Sequence, residues 1–160
     1  MLSIQISDIK DFMSHLLSKD TFDHFYFIEA SIKMGVSYQI QCRINEGFYD
    51  TSVEQTLNRE FCYWKEIRHR IFDIIKGKRL PLSCKIVLGL SKQSISYLIA
   101  HNNSSFREED IEGIYINILY DPKNLLITTG ISYKNFSLDK SLEYAFDEYL
   151  AKFLKEKAVI

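Results

Sequence analysis

The feature that most restricts the fold of this chain is a strict alternation of side chains between residues 36 and 44. Apolar side chains occupy one set of alternate positions, Val36, Tyr38, Ile40, Cys42 and Ile44, and polar side chains occupy Ser37, Gln39, Gln41 and Arg43. Successive side chains of a strand point to opposite faces of its sheet, so this strand has one apolar and one wet face. A sheet with a wet face is typically antiparallel, because parallel sheets are covered by helices on both faces.

The rest of the chain divides into segments with strand or helix periodicity. Strand patterns occur around residues 4–6, 25–33, 84–90, 114–120 and 125–133, and helix patterns at 8–18, 53–76, after Ser91 and after Asp139. Gly77 and Pro81 end the long helix. The order β-α-β-β-α-β-α-β-β-α predicts an α+β fold. We expect an antiparallel or partly mixed sheet of about six strands, with helices packed on one face.

Composition predicts one globular domain over residues 1–160. Apolar residues make up 46% and charged residues 26% of the chain, values that exclude a disordered or collagen-like protein. The formal net charge of −1 provides no overall field that would attract nucleic acid or an anionic membrane. No stretch approaches the roughly 18 apolar residues that a membrane-spanning helix requires.

The cysteines and the N-terminus indicate a cytoplasmic location. Cys42, Cys62 and Cys84 are odd in number and widely spaced, which favours a reducing compartment over a disulfide framework. The first eight residues have neither the basic start nor the apolar core of a signal peptide.

The motifs of common enzymes are missing from the sequence. A phosphate-binding loop needs G-x-x-x-x-G-K-[ST], but Gly77-Lys78 is followed by Arg79, and Phe72 stands where the first glycine should be. The chain contains no G-x-G-x-x-G, no G-x-S-x-G and no Cys or His pairs at zinc-ligand spacing. We therefore predict no catalytic residue, no metal site and no cofactor.

Trp64 and Arg68 are the first candidate binding residues. They stand four positions apart in a predicted helix, where the guanidinium could stack on the indole. One interpretation is a site for an anion or a partner beside an aromatic platform. The other is a structural arginine whose stem packs on the core while its head reaches a carboxylate or water.

A basic helix end supplies three more candidates, Lys76, Lys78 and Arg79. Residues 65–79 contain six cations and two carboxylates, a local net charge of +4. Such a cluster could bind phosphates electrostatically. Alternatively, the negative end of the helix dipole favours cations at this place without any ligand.

His24 completes the set of candidate binding residues. Asp23 precedes it, but adjacent side chains of an extended segment point to opposite faces and cannot act as an acid–base pair without a turn. The alternative is a histidine that only packs at the entry to a strand.

Several segments along the chain share their pattern with a known group of proteins. They are Thr21-Phe22-Asp23-His24-Phe25, Glu29-Ala30-Ser31, Tyr63-Trp64, Ile75-Lys76-Gly77-Lys78-Arg79-Leu80-Pro81-Leu82, Thr128-Thr129-Gly130 and Phe136-Ser137-Leu138-Asp139-Lys140-Ser141-Leu142. Through these segments the chain resembles a small uncharacterised family of bacterial proteins from low-GC anaerobes, a domain of unknown function. The resemblance implies a bacterial cytosolic source and a single α+β domain. It implies no activity, so it provides no catalytic residues.

Two functions from different classes remain open. The first is a non-catalytic intracellular binding protein whose partner is a protein, including a second copy of the chain, or else a nucleic acid or a phosphate ligand. Tyr26, Tyr63, Tyr115 and Tyr144 fall off the predicted core faces and are of the type that anchors interfaces. The second is a small-ligand-binding protein or enzyme with a pocket between the sheet and the C-terminal helix.

Overall fold

A computed structural model describes residues 1–49 and 59–160 of the protein. In these ranges the strands are β1 (Ser3–Gln5), β2 (Tyr26–Lys33), β3 (Ser37–Gln41), β4 (Ser83–Gly89), β5 (Ile111–Tyr120) and β6 (Leu125–Tyr133). The α-helices are α1 (Ile9–Leu17), α2 (Trp64–Ile75), α3 (Lys92–His101) and α4 (Ser141–Glu156). Short 3₁₀ turns lie at Glu46–Phe48 and Glu108–Asp110.

The strands form one antiparallel sheet in the order β1-β6-β5-β4-β2-β3. Hairpins join β2 to β3 and β5 to β6, and β4 lies between the two hairpins. The predicted α+β class, the antiparallel sheet and the order of the elements are confirmed.

One hydrophobic core lies between the sheet and the helices. From the helices it takes Phe12, Leu16, Trp64, Ile71, Ile95, Leu98, Leu142, Phe146, Leu150 and Leu154, and from the strands Ile32, Ile86, Leu88, Ile114, Ile116, Ile118 and Ile127. Since all four helices contribute to this cluster, they cover the same face of the sheet. Each helix buries an apolar stripe in this core, and this burial is the main contribution that holds the helix against the sheet.

The opposite face of the sheet is partly wet, although Val87 and Tyr26 on that face are buried. The register aligns Ser31, Lys85 and Leu119 in one row across β2, β4 and β5, and all three side chains are exposed. At this row the central strands have one apolar and one wet face, as the alternation of side chains predicted for the sheet. β3 itself lies at the edge, so two members of its apolar face, Val36 and Tyr38, remain 64% and 38% exposed.

The predicted long helix over residues 53–76 is wrong at its start. Residues 53–58 lie outside the described ranges, but residues 59–63 are not helical, and α2 begins at Trp64. The backbone before Trp64 is bonded to the sheet instead, with Phe27 N donating to Cys62 O at 2.9 Å and Ile44 N donating to Glu60 O at 2.8 Å. The end agrees with the prediction, because Gly77 has φ of 146°, a conformation that disfavours any side chain.

The expectation of a chain without a disulfide is also corrected. Cys42 and Cys62 are joined by a disulfide bond, with their Cα atoms 6.0 Å apart. Cys42 follows the end of β3 and Cys62 precedes α2, so the tertiary fold brings together cysteines that are 20 positions apart. Closing a loop of this length stabilises a fold by roughly 3 kcal/mol in the chain-entropy account. Cys84 is free and buried.

The helices of the described ranges are too short or too polar to span a membrane. None of them combines sufficient length with sufficient apolar character to cross a bilayer.

The core predicts a sharp contrast between two aromatic residues of α4. Phe146 is fully buried and Tyr144 is 67% exposed. Phe146→Ala should lower the free energy of unfolding by about 3–5 kcal/mol, because it removes buried apolar area and leaves a cavity. Tyr144→Ala, on the same helix, should change it by about 0.5 kcal/mol or less. Urea denaturation of both variants tests this, and equal losses would show that α4 does not pack as described.

Candidate functional site

Trp64 is part of the contact between α1 and α2 and does not face solvent. Its side chain is fully buried, and its indole Nε1 donates to the Leu16 carbonyl at 2.7 Å. Carbonyls in the last turn of a helix lack partners within the helix. The indole therefore satisfies a carbonyl at the C-terminal end of α1 while its ring fills the core.

Arg68 lies on the same side of α2, one turn after Trp64. Its guanidinium forms a two-pronged ion pair with Asp23, with Nε–Oδ1 at 2.7 Å and Nη2–Oδ2 at 3.2 Å. A further bond runs from Nη1 to the Leu17 carbonyl at 3.3 Å. The positive charge thus stands at the negative end of the α1 dipole.

Of the two interpretations of Arg68, the one in which its guanidinium stacks on Trp64 does not describe these contacts. The guanidinium turns toward a carboxylate and two carbonyls, because in a half-buried place these partners compensate for its lost hydration better than a ring does. The second interpretation, a structural arginine, describes the geometry. Neither residue presents a platform to solvent.

His24 lies beside the end of α4. Its ring centroid is 4.4 Å from that of Phe25 and 5.7 Å from that of Phe153, while the side chain stays partly exposed. Partial burial lowers the pKa of His24, and the nearby Lys157 lowers it further, with Asp23 opposing. The surroundings of His24 therefore favour the neutral form of its ring.

The chain after α2 forms the most cationic surface among the candidates. Lys76 pairs with Asp73 at 2.9 Å. Lys78 and Arg79 are exposed, and within residues 1–49 and 59–160 neither pairs with a carboxylate. Two charges at this place are thus not neutralised by the described part of the protein.

Exposed apolar side chains adjoin these cations. Leu80 is 68% and Leu82 is 65% exposed, on either side of the buried Pro81. Lys33 pairs with Ser83 on one side and Ser37 on the other, which sets the starts of β4 and β3 at the same end of the sheet.

Val36 joins this surface through the same register. Leu82 and Val36 each precede the strand residue that pairs with Lys33, so they stand two strand spacings apart, about 10 Å. Val36 is 64% exposed. We call the surface formed by Lys76, Lys78, Arg79, Leu80, Leu82 and Val36 the basic tip.

The structure thus divides the candidates into two groups. Lys76, Lys78 and Arg79 belong to the basic tip, whereas Trp64, Arg68 and His24 lie at the other end of α2, around the end of α1 and α4. Sequence reasoning missed Leu80, Leu82 and Val36. A signal for the two leucines existed, since Leu80-Pro81-Leu82 directly follows the basic run. Val36 had none, because it belonged to a strand face expected to be buried.

The tyrosines outside the predicted core faces differ in exposure. Tyr144 is exposed as expected, but Tyr26 is buried on the wet side of the sheet, beneath Phe61 and Tyr63 at centroid distances of 6.1 and 5.2 Å. The Arg59 guanidinium lies 4.7 Å from the Tyr63 ring centroid. Tyr26 therefore contributes to packing and not to an accessible surface.

A small cavity lies between the sheet and the C-terminal helix. It lies under α4 beside Thr129 and Asp147 and measures about 210 Å³, and neither Arg68 nor His24 lines it. Its polar groups bond to each other, with the Thr129 hydroxyl donating to Asp147 Oδ1 at 2.6 Å. A larger cleft of about 610 Å³ opens at the surface between α3 and Glu108–Asp110, with Lys92, Arg107 and Lys134 among its lining.

A model of the family of unknown function DUF5721 matches residues 15–160. The chain belongs to this family. The DUF5721 match begins within α1 and includes both the α1–α2 contact and the basic tip, and it confirms the resemblance to a domain of unknown function. No curated protein and no solved structure matches the chain. In the ranges that the structure describes, no three His, Cys, Asp or Glu side chains come together as metal ligands.

A double-mutant cycle tests the ion pair between Arg68 and Asp23. Arg68→Met should lower the free energy of unfolding by about 2–3 kcal/mol, because Asp23 and the α1 carbonyls lose a charged partner. Asp23→Asn should cost less, and the double variant should cost at least about 1 kcal/mol less than the sum of the single losses. Urea denaturation gives all three values. Strict additivity would show that the two side chains do not interact.

His24 predicts a pH dependence. Since the native pKa of His24 lies below its ordinary value of about 6.5, the unfolded state binds the proton more readily. The stability contributed by neutral His24 is therefore present above about pH 6.5 and is lost as the pH falls through the lowered native pKa. The stability difference between wild type and His24→Gln should shrink over that window.

The same shift can be measured directly by an NMR titration of the His24 ring. Lys157→Gln should move the pKa of His24 upward, because it removes the repelling charge, whereas Lys155→Gln should leave it in place. An unchanged value in the Lys157→Gln variant would contradict the assigned cause.

Proposed function

We propose that this DUF5721 protein is a non-catalytic binding protein and that the basic tip receives a partner protein. The proposal is supported by one observation above all. Lys78 and Arg79 lack a carboxylate partner in the described residues and adjoin Leu80, Leu82 and Val36, each of which is about two-thirds exposed. Large apolar side chains grouped at a surface and rimmed by charge are typical of protein interfaces.

The chemistry of the basic tip favours a particular kind of partner. The leucines and the valine would bury apolar side chains, while the cations would pair with carboxylates at the rim. We therefore infer an acidic segment that also carries leucine-like side chains.

A nucleic-acid partner is the weaker candidate within the same class. Its binding would depend on contacts between cations and phosphates and would gain little from exposed leucines. The formal net charge of −1 for the whole chain gives no additional attraction for phosphates.

A small-ligand site between the sheet and α4 is the alternative from a different class. The cavity there, about 210 Å³, is smaller than the roughly 300 Å³ at which ligand pockets begin. The size of this cavity disfavours a ligand site under α4.

A bacterial cytoplasmic location forms part of the proposal. It is supported by the sequence segments that resemble proteins of low-GC anaerobes. The partner would then be another protein of the same compartment.

The proposal is tested with a labelled peptide built of Glu and Leu residues in helical spacing, titrated with the protein and followed by fluorescence anisotropy. Lys78→Glu/Arg79→Glu should weaken binding by about tenfold or more, because attraction becomes repulsion. Leu80→Ser/Leu82→Ser should weaken it to a similar extent, because the apolar contact is lost.

The matched control is Lys92→Glu/Lys155→Glu, which makes the same charge change at exposed positions beyond the end of β4 and near the end of α4, at the end of the sheet opposite the basic tip. This control should bind the peptide like wild type. A single-stranded DNA oligonucleotide and vesicles of phosphatidylglycerol serve as competing probes. Tighter binding to either probe, lost with the charge reversal but retained in the Leu80→Ser/Leu82→Ser variant, would overturn the protein-partner proposal.

A further inference from the structure

The disulfide bond lies where two strand-like segments separate beside β2. Along most of its length β2 pairs with β3, and Cys42 N still donates to the Ile28 carbonyl at 3.2 Å. At its start β2 pairs with the segment before α2, since Phe27 N donates to Cys62 O at 2.9 Å. We call this place, residues 26–28, 42–44 and 60–63, the fork.

Backbone hydrogen bonds hold the fork without help from the sulfur atoms. Cys62 N donates to Cys42 O at 3.3 Å, and Ile44 N donates to Glu60 O at 2.8 Å. Tyr63 N also donates to Glu66 Oε2 at 2.6 Å, which fixes the start of α2. The two cysteines would therefore remain neighbours if the bond between them were broken.

Access distinguishes this pair from the third cysteine. Cys42 and Cys62 are both half-buried, so a small reagent in solvent can approach the bond. Cys84 is 4% exposed in the core. Burial raises the pKa of the Cys84 thiol to about 12, which keeps this thiol protonated and unreactive.

We propose that Cys42 and Cys62 form a thiol–disulfide exchange site, opened and closed by low-molecular-weight thiols such as glutathione while the protein stays folded. A reversible disulfide needs two cysteines that stay close together when reduced, and it needs access for the thiol reagent. It also needs the remaining cysteine, here Cys84, to be too buried to form a wrong disulfide. The inference does not depend on what binds the basic tip.

Glutathione opens the disulfide bond in two exchange steps. A glutathione thiolate attacks one sulfur of the pair, forms a mixed disulfide, and releases the other cysteine as a thiolate that takes a proton from water. A second glutathione thiolate attacks the glutathione sulfur of the mixed disulfide and releases the first cysteine, which is protonated in turn. Two glutathione molecules are oxidised to glutathione disulfide, and the protein gains two thiols.

Opening the pair removes a covalent tether close to α2. Trp64 stands two positions after Cys62 and anchors α2 to α1 through the Leu16 carbonyl. The reduced protein keeps the hydrogen bonds of the fork but loses the constraint on its unfolded state, so it should unfold at a lower temperature.

The test equilibrates the folded protein in buffers of graded ratio between reduced and oxidised glutathione, then blocks thiols with iodoacetamide and locates them by peptide mass spectrometry. We expect blocked Cys42 and Cys62 at the reduced end, neither at the oxidised end, and Cys84 blocked only after denaturant is added. The circular dichroism spectrum should stay the same throughout, and Tm should fall by about 6–12 °C on reduction.

Two variants serve as matched controls. Cys84→Ser should titrate like wild type, and Cys42→Ser/Cys62→Ser should show the Tm of the reduced protein in every buffer. The proposal is overturned if the bond resists excess reduced glutathione until denaturant is added, because it would then be a permanent structural cross-link. Reoxidation to a pairing that involves Cys84, or loss of the native spectrum on reduction, would overturn it equally.

Discussion

The contact of α2 with the C-terminal end of α1 is the interaction on which the placement of α2 depends. Two side chains one turn apart, Trp64 and Arg68, donate to carbonyls that α1 itself cannot satisfy. An unpaired carbonyl buried here would cost about 1–3 kcal/mol, so the indole bond to Leu16 and the ring packing favour the same position of the helix. Asp23 then balances the charge of Arg68. Two candidate binding residues thus serve the architecture.

α2 connects the two surfaces to which we assign a function. Its N-terminal end emerges from the fork with the Cys42–Cys62 bond, where Arg59 holds the pKa of Glu66 below its usual value through a direct hydrogen bond. Its C-terminal end stops at Gly77 and leads into the basic tip. A helix of 12 residues separates the two surfaces by about 18 Å. They are therefore distinct places, and a change at one can be tested without altering the other.

Local periodicity predicted most of the fold and failed where long-range pairing decided the outcome. Alternating side chains located the strands, because one face of the sheet meets water. The same approach extended α2 backward to residue 53, since Phe61 has helical spacing from Trp64. In the fold, Phe61 instead pairs with Arg43 as an isolated bridge. Helical periodicity is recognised only from the spacing of apolar residues along the chain. Phe61 has that spacing, although its side chain packs on Tyr26 at the outer face of the sheet and not on a helix face.

The sequence by itself determined the α+β class, the order of the elements, the stop at Gly77 and the basic run of Lys76, Lys78 and Arg79, because each follows from residues close together in the chain. The tertiary structure alone decided which charges and sulfurs have partners. Asp23 and Arg68 are 45 positions apart, and Cys42 and Cys62 are 20. Such pairs form only when packing of the core brings distant segments together, so no local sequence pattern predicts them.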